Sequence, residues 1–375
     1  MESKPEERKK RVGISGSYGG LNMGDEAILT AIVAQLRSSM PVEITVFSRD
    51  AENTRRHHDL DHVVQARELT RHDTIQRLKE LDLFILGGGG LFYDAEADIY
   101  LREVNRAHEV GVPVMIYAVS AGPLADQNVR GRVRDALNQV RAITVRDRQS
   151  MHLLEEIGVN RDIVLTADPA VLIEPQPLSP EELQRTEAFN LEGRLIALSV
   201  RELGPAAPDM DIAHYHRLVA NTADFLIDRF DAEVVFFPLE RRMHDVQQSH
   251  GVVAQMSHAQ KANVLKGEYS PGQLVSILQH FEFSVGMRLH FLIFSALANI
   301  PFMGLPYATK ISGFLEELRL EVPGLENISA GQLIARIDRA WSRREELRDR
   351  IDSALQEIKS RARRNNEVVM QLLSM

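Results

Sequence analysis

From residue 11 onward the chain alternates two hydrophobic rhythms. Short, almost continuously apolar runs are separated by stretches whose apolar residues recur every three or four positions. RVGIS (11–15), VEITVFS (42–48), LDLFILGGGG (81–90), VPVMIYAVSAG (112–122), AITVRD (142–147) and DIVLTADPAVLI (162–173) are predicted strands. GDEAILTAIVAQLRSSM (24–40) is a predicted helix with Ile28, Ile32 and Leu36 on one face. Further helices end on Gly111, run from about Val129 to Val140, and cover 150–158. Strands separated by single helices imply βαβ units and a parallel sheet.

The rhythm stops at EPQPLSP (174–180), where three prolines in seven residues block both helix and central strand. It then restarts. LIALSVR (195–201), AEVVFFPL (232–239) and FSVG (283–286) are predicted strands, with helices at 213–230 and 270–281 and an apolar helix, FLIFSALA, after the last strand. This predicts an N-terminal α/β domain over 11–174, a linker over 175–189 and a second α/β domain over 190–330. Residues 331–375 read as one long charged helix packed by an apolar stripe. From Arg336 it carries ten Arg or Lys and seven Asp or Glu. Residues 1–10, MESKPEERKK, lack an apolar segment and are expected to be a disordered tail, not a secretory signal.

Composition narrows the class. The 375 residues are 44% hydrophobic and 26% charged, with a net charge of −9. That fits a soluble globular protein and argues against general nucleic-acid binding, which needs a basic face. The absence of cysteine excludes disulfides and thiolate metal sites, and fits a reducing compartment. No run approaches the ~20 apolar residues of a membrane span.

Two glycine-rich turns follow strands. In GISGSYGGLNMGDEAIL (13–29), Gly16, Gly19, Gly20 and Gly24 permit close backbone approach, and Asp25 and Glu26 occupy the first helical turn, where the helix dipole favours carboxylates. The turn has neither the dinucleotide fingerprint nor the Lys-Ser/Thr of a P-loop. An anion there would meet two carboxylates, so a neutral, hydroxyl-rich ligand fits better. The second turn is Gly87, Gly88, Gly89 and Gly90; ligands of open parallel sheets bind beyond the carboxyl ends of strands.

Cations also follow strands: Arg146 and Arg148 after AITV, Arg201 after LIALSV, Arg288 and His290 after FSVG, and Lys310 beyond a Pro-Tyr turn. A helix N-terminus disfavours cations unless an anion binds beside it. Arg201, Arg288, His290 and Lys310 are therefore predicted to form a cationic cup in the second domain. Arg288 and His290, two apart, must sit on the turn entering the helix. There is no metal signature. His57 and His58 read as exposed loop, His244-Asp245 as an isolated pair, and Ser120 and Ser199 lack a nucleophile elbow.

Several blocks together resemble the polysaccharide pyruvyl transferase family: GSYGGLNMGDEAIL (16–29), LFILGGGGLFYD (83–94), ITVRDRQSMHLLEEIG (143–158) with TADPAVLI (166–173), LSVR (198–201) and GMRLHFLIFSALANIPFMGLPYATK (286–310). The resemblance spans about 300 residues. It implies two Rossmann-like domains facing a cleft, similar to the glycosyltransferase-B fold. It implies transfer of a pyruvyl group from phosphoenolpyruvate to a sugar of a cell-surface polysaccharide or its precursor, as a ketal, with no cofactor and no metal. His290 corresponds to the general acid, and Arg288, Arg201, Lys310 and Arg146 to donor-holding positions. The acceptor sugar is expected near Gly19, Gly20, Asp25, Gly88 and Gly89. SVRELGP departs from the aromatic-containing stretch common after that Arg, which bears on acceptor contacts. The implied location is the cytoplasm, with a peripheral contact to the inner membrane face if the acceptor is lipid-linked.

A glycosyltransferase using a sugar nucleotide needs the same architecture and differs in its ligand. A non-catalytic carbohydrate-binding protein would not need Arg288, His290 and Lys310. A nicotinamide dehydrogenase would need the fingerprint that is missing. The acceptor, the bridged hydroxyls and the oligomeric state are not encoded legibly.

Overall fold

The structure, a computed structural model, describes residues 8–187, 189–202, 211–240, 244–305, 309–322 and 328–374. The described residues form two compact units. The first takes in residues up to Gly20, then Asp25–Leu172, then those from Lys359 on; the second takes in Leu21–Gly24 and Ile173–Ile358.

The first unit runs β1 (Lys10–Ser15), α1 (Met23–Ser39), β2 (Val42–Ser48), α2 (Ala51–His57), β3 (His62–Gln65), α3 (Arg71–Lys79), β4 (Leu83–Phe92), α4 (Ala97–Glu109), β5 (Val114–Ala121), α5 (Gln127–Leu137), β6 (Ala142–Val145), α6 (Arg148–Glu156) and β7 (Ile163–Leu165). The seven strands lie in the order β3-β2-β1-β4-β5-β6-β7, and each pairing is parallel. The chain builds outward from β1 in one direction and from β4 in the other. The switch point lies between these two strands; one glycine turn follows β1, whereas Gly87–Gly90, expected as a turn after a strand, lie within β4. The central strands are apolar on both faces because helices cover both, as all-parallel sheets require.

The second unit runs α7 (Pro180–Thr186), β8 (Arg194–Ser199), α8 (Ile212–Phe230), β9 (Ala232–Phe236), α9 (Asp245–Val253), β10 (Ala262–Val264), α10 (Pro271–Leu278), β11 (Phe283–Gly286), α11 (Leu289–Leu297), β12 (Phe302–Gly304), α12 (Thr309–Glu317) and α13 (Ala330–Ser342). Its parallel sheet has the order β10-β9-β8-β11-β12. Here the switch point lies between β8 and β11, the strands that Arg201 and Arg288 follow.

The structure departs from the sequence reading in several elements. DIVLTADPAVLI is a strand only over Ile163–Leu165; a 3-10 turn covers Pro169–Leu172, where the Asp168 carboxylate accepts from Ala170 N at 2.9 Å. Strands β3, β10 and β12, three or four residues long, are too short for periodicity to register. The proline-rich linker contains α7, with Ser179 capping Glu182 N and Pro180 in the first turn, where a missing N–H costs nothing. The C-terminal segment is two helices, α13 and α14 (Arg344–Leu373), interrupted at Arg343. Of α14, the part before Lys359 belongs to the second unit and the rest to the first. Its apolar stripe, Ile351, Leu355, Ile358, Ala362, Val369 and Leu373, is buried. Asn365, fully buried, accepts from Thr144 Oγ1 at 2.6 Å and Thr166 Oγ1 at 2.9 Å, fixing the end of the helix on the first sheet.

Candidate functional site

In the second unit Arg288 is the N-cap residue of α11, with extended backbone and no side-chain cap. The N-cap side chain therefore does not cover the backbone N–H groups of the first turn. His290 is the second helical residue, inside the first turn and not on the approach to it as expected. The helix behind is buried on nearly every side, from Leu289 through Ala296, which makes it a rigid support.

The Arg288 guanidinium is held by two carboxylates. Its Nε lies 3.0 Å from Asp245 Oδ2 and its Nη2 2.5 Å from Asp245 Oδ1, a bidentate fork; its Nη1 lies 2.7 Å from Glu240 Oε2. The Asp245 side chain is fully buried, whereas Glu240 is 18% exposed. Burial pushes the Asp245 carboxyl above its ordinary range, and the Arg288 charge pulls it back. Asp245 also accepts from the backbone N–H groups of Leu239 (3.2 Å) and Glu240 (3.1 Å), so the turn after β9 is fastened to the same carboxylate.

The Arg201 backbone is joined to Met287, the neighbour of Arg288, through one hydroxyl. Tyr215 Oη lies 3.0 Å from the Arg201 carbonyl oxygen and 3.1 Å from Met287 Sδ, the residue before Arg288. Burial raises the Tyr215 hydroxyl pKa, and both guanidiniums act on it electrostatically. The sheet completes the link, with Met287 N donating to Ser199 O at 3.0 Å. Lys310 is exposed in the first turn of α12; Pro306 and Tyr307, the turn expected before it, lie outside the described residues.

Gly24 belongs to this unit, and its glycine has a steric cause. A Cβ on it would lie 1.9 Å from His290 Nδ1. The imidazole therefore rests on bare backbone, and any larger residue would turn it. The neighbouring backbone is tied down by Met23 N donating to Leu239 O at 2.8 Å and by a bridge between Asn22 and Glu240.

The first unit holds the remaining candidates. Gly19, at φ +75°, donates its N–H to Glu26 Oε1 at 2.9 Å, and Glu26 Oε2 lies 2.7 Å from His58 Nε2. The His58 side chain is 5% exposed, so it is a strut under the glycine turn and not the exposed loop residue expected. Gly20 has only loose neighbours, with Ser17 O 3.4 Å from an added Cβ. Gly88 (φ +77°) and Gly89 (φ +96°) break the strand geometry of β4; a Cβ on Gly88 would strike Ile28 Cγ2 at 1.9 Å, and one on Gly89 would lie 3.1 Å from Asp25 Oδ1. Gly90 faces open space. Tyr18 Oη donates to the Gly87 carbonyl, joining the two glycine-rich stretches. Arg146 is buried just after β6, with Nη1 2.6 Å from Asp168 Oδ2 and Nε 2.6 Å from Ser120 Oγ.

The structure thus brings Arg288, His290 and Arg201 together at one switch point, and Gly19, Asp25, Gly88 and Gly89 at the other. Sequence reasoning missed Asp245, Glu240 and Tyr215. The His244-Asp245 pair looked isolated because its partner lies 43 residues away. Its one legible signal was its place shortly after a strand. Among the described residues no cluster of His, Asp or Glu could hold a metal ion, and no helix is long and apolar enough to cross a membrane.

A family model described as polysaccharide pyruvyl transferase matches residues 22–309. A curated relative, the amylovoran biosynthesis protein AmsJ of Erwinia amylovora, is 22% identical over 293 residues, covering 75% of this chain and 70% of AmsJ. Among solved structures, the UDP-GlcNAc 2-epimerase of Methanocaldococcus jannaschii aligns with a TM-score of 0.65 at 10% identity, covering 96% of this chain and 99% of that one. A putative UDP-N-acetylglucosamine 2-epimerase of Listeria monocytogenes aligns at 0.60 and 12% identity, covering 92% and 91%. At these identities the structural likeness speaks to fold alone, and it shows an α/β fold of the glycosyltransferase-B kind.

Proposed function

The chain belongs to the polysaccharide pyruvyl transferase family, and from that premise we propose that it transfers a pyruvyl group from phosphoenolpyruvate to a sugar of a cell-surface polysaccharide or its precursor, forming a cyclic ketal. The observation that carries this reading is the pairing of Arg288, at the N-cap of α11, with His290 in that helix's first turn. A small donor carrying both a phosphate and a carboxylate matches the helix dipole and the guanidinium together.

His290, protonated, delivers its proton to the methylene carbon of phosphoenolpyruvate, which becomes the methyl group. The cation that develops at C2 is attacked by one sugar hydroxyl, whose proton passes to the enzyme. The C2–O bond to phosphate then breaks, and a second hydroxyl closes the ring, its proton leaving with inorganic phosphate. General acid catalysis of this kind contributes about 10²–10⁴-fold. Arg288, Arg201 and Lys310 neutralise the departing phosphate. To reach it, Arg288 exchanges its Nη1 contact with the part-exposed Glu240 for a phosphate oxygen, while the buried Asp245 keeps the fork in place. The glycine-rich stretches of the first unit, with Gly19, Gly20, Asp25, Gly88 and Gly89, seat the sugar. Phosphoenolpyruvate as donor puts the reaction in the cytoplasm.

Calorimetric titration with phosphoenolpyruvate beside a panel of sugar nucleotides tests the donor. Phosphoenolpyruvate is expected to bind, Arg288→Ala to abolish binding and His290→Ala to retain it. Binding of a sugar nucleotide instead would make the chain a glycosyltransferase of this fold and remove the donor assignment.

A further inference from the structure

A second basic pocket lies in the second unit beside the edge strand β12, lined by none of Arg201, Arg288, His290 or Lys310. Four arginines line it: Arg336, Arg339 and Arg343 from α13 and the residue that ends it, and Arg350 from α14. Among the described residues, two carboxylates stand beside them. Glu321 is in the lining, and one further carboxylate, Glu346, is shared: Arg343 grips it through Nε and Nη2 at 2.8 Å each, and Arg350 Nη2 reaches it at 2.5 Å. Four guanidiniums thus line one pocket of a chain whose net charge is −9.

The floor is hydrocarbon, including Met303, Leu315 and Leu347. Among the described lining residues there is no Ser, Thr, Asn, Gln, His or Tyr. A sugar or a nucleobase needs such groups for its hydroxyls or ring edges, since a buried polar group without a partner is costly. An anion with no apolar part would leave the floor uncovered. The geometry points to a site for an anionic amphiphile, a phosphate monoester whose head group the arginines grip and whose hydrocarbon chain covers the floor. Arginine suits the head because its planar fork pairs with phosphate in bidentate fashion. This inference stands apart from the pyruvyl-transfer reading.

The test uses the full chain and dodecyl phosphate below its micellar concentration, with inorganic phosphate and dodecyl maltoside as controls. Dodecyl phosphate is expected to bind roughly tenfold or more tightly than either control, because each control lacks one half of the recognition. The double reversal Arg339→Glu/Arg343→Glu, at exposed positions, is expected to weaken binding at least about tenfold with an unchanged melting temperature. Equal binding of inorganic phosphate would reduce the site to a simple anion patch, and equal binding of the maltoside to a greasy groove; either overturns the proposal, as does an unaffected double variant. A vesicle arm of phosphatidylglycerol separates a pocket from a bilayer surface. Vesicle binding lost in the double variant, with no dodecyl phosphate binding, would overturn the pocket in favour of bilayer attraction.

Discussion

Each unit of this protein contains a buried arginine fastened to an aspartate, and the two pairs differ in what else touches them. Arg146 and Asp168 are buried, with side chains 5% and 8% exposed, and the guanidinium also donates to the Ser120 hydroxyl. Arg288 and Asp245 are equally deep, but a second, part-exposed carboxylate leans on the same guanidinium, and its backbone opens a helix. In the first arrangement the carboxylate and the guanidinium are both buried and share one bond. The second has an inner partner that holds and an outer partner that can be replaced. A buried ion pair is weak evidence for stability and often a device for placing a charge; the outer partner tells the two uses apart.

Substitution breaks the comparison most sharply. Arg288→Ala is expected to lower kcat/KM with phosphoenolpyruvate by about 10³-fold or more, as loss of a charge that stabilises a departing phosphate does. The Asp245 carboxyl, already pushed up by burial, absorbs part of the structural cost by taking a proton. Arg146→Ala is expected to do the reverse: a stability loss of about 3–5 kcal/mol from removing the guanidinium that faces the buried Asp168 carboxylate, with activity per folded molecule within about tenfold of the parent. Denaturant melts and steady-state rates on both variants check this. Should Arg146→Ala leave stability intact and abolish turnover, the pair it belongs to is part of the machinery.

The glycines sharpen the same contrast. Gly24→Ala drives a methyl group to 1.9 Å from His290 Nδ1, so the imidazole must turn. A displacement of that size costs about 10²-fold in rate, with little effect on the melt. Gly88→Ala meets Ile28 Cγ2 at 1.9 Å and adds a side chain at φ +77°. It is expected to cost about 2–4 kcal/mol of stability, from overpacking and left-handed strain together. If Gly24→Ala turns over normally, the acid is not His290 in the position seen.

The legibility of these features follows their range. Strands and helices with three or more turns were readable because their signal is local periodicity, and the arginine candidates because they follow strands; the glycine run was legible as a run, though it lies within β4 and not after it. The switch points could be anticipated only as a rule of parallel sheets; that Arg201 and Arg288 flank one required the order β8-β11, which no local pattern states. Asp245, Glu240 and Tyr215 were invisible because each acts through a partner distant in sequence. His58 was misread for the same reason: beside His57 and two arginines it looks like surface, and only its contact with Glu26 makes it internal.

A titration separates the units by pH. In the first unit Glu103, hydrogen-bonded by Ser15 at the end of β1, is pushed up to about 7 by burial. Between the ordinary 4.5 and about 7 the folded chain therefore binds more protons than the unfolded one. Its contribution is full below about 4.5 and is lost as pH rises through about 7. The loss is at most about 3 kcal/mol. Glu103→Gln should flatten the stability profile over this window. Asp245 adds a slope of the same sign, so the diagnostic is the difference between parent and variant. Identical profiles would mean that Glu103 is not held as a buried carboxyl.

The smallest expected effect is the most discriminating, because it runs opposite in sign to the others. Glu240 is 18% exposed and touches Arg288 through one nitrogen, while Asp245 takes the fork. If an incoming phosphate replaces Glu240, its charge competes with the donor. Glu240→Gln keeps the size and a hydrogen-bonding oxygen but removes the charge. Phosphoenolpyruvate should then bind about two- to fivefold more tightly, the scale of a part-exposed ion pair. The gain should shrink at high salt, where such pairs are screened. Weaker binding would mean that Glu240 aims Arg288 and does not compete for it, and the two carboxylates would then form one rigid clamp. Asp245→Asn offers the contrast: it removes the partner that holds, and should weaken donor binding in the same titration.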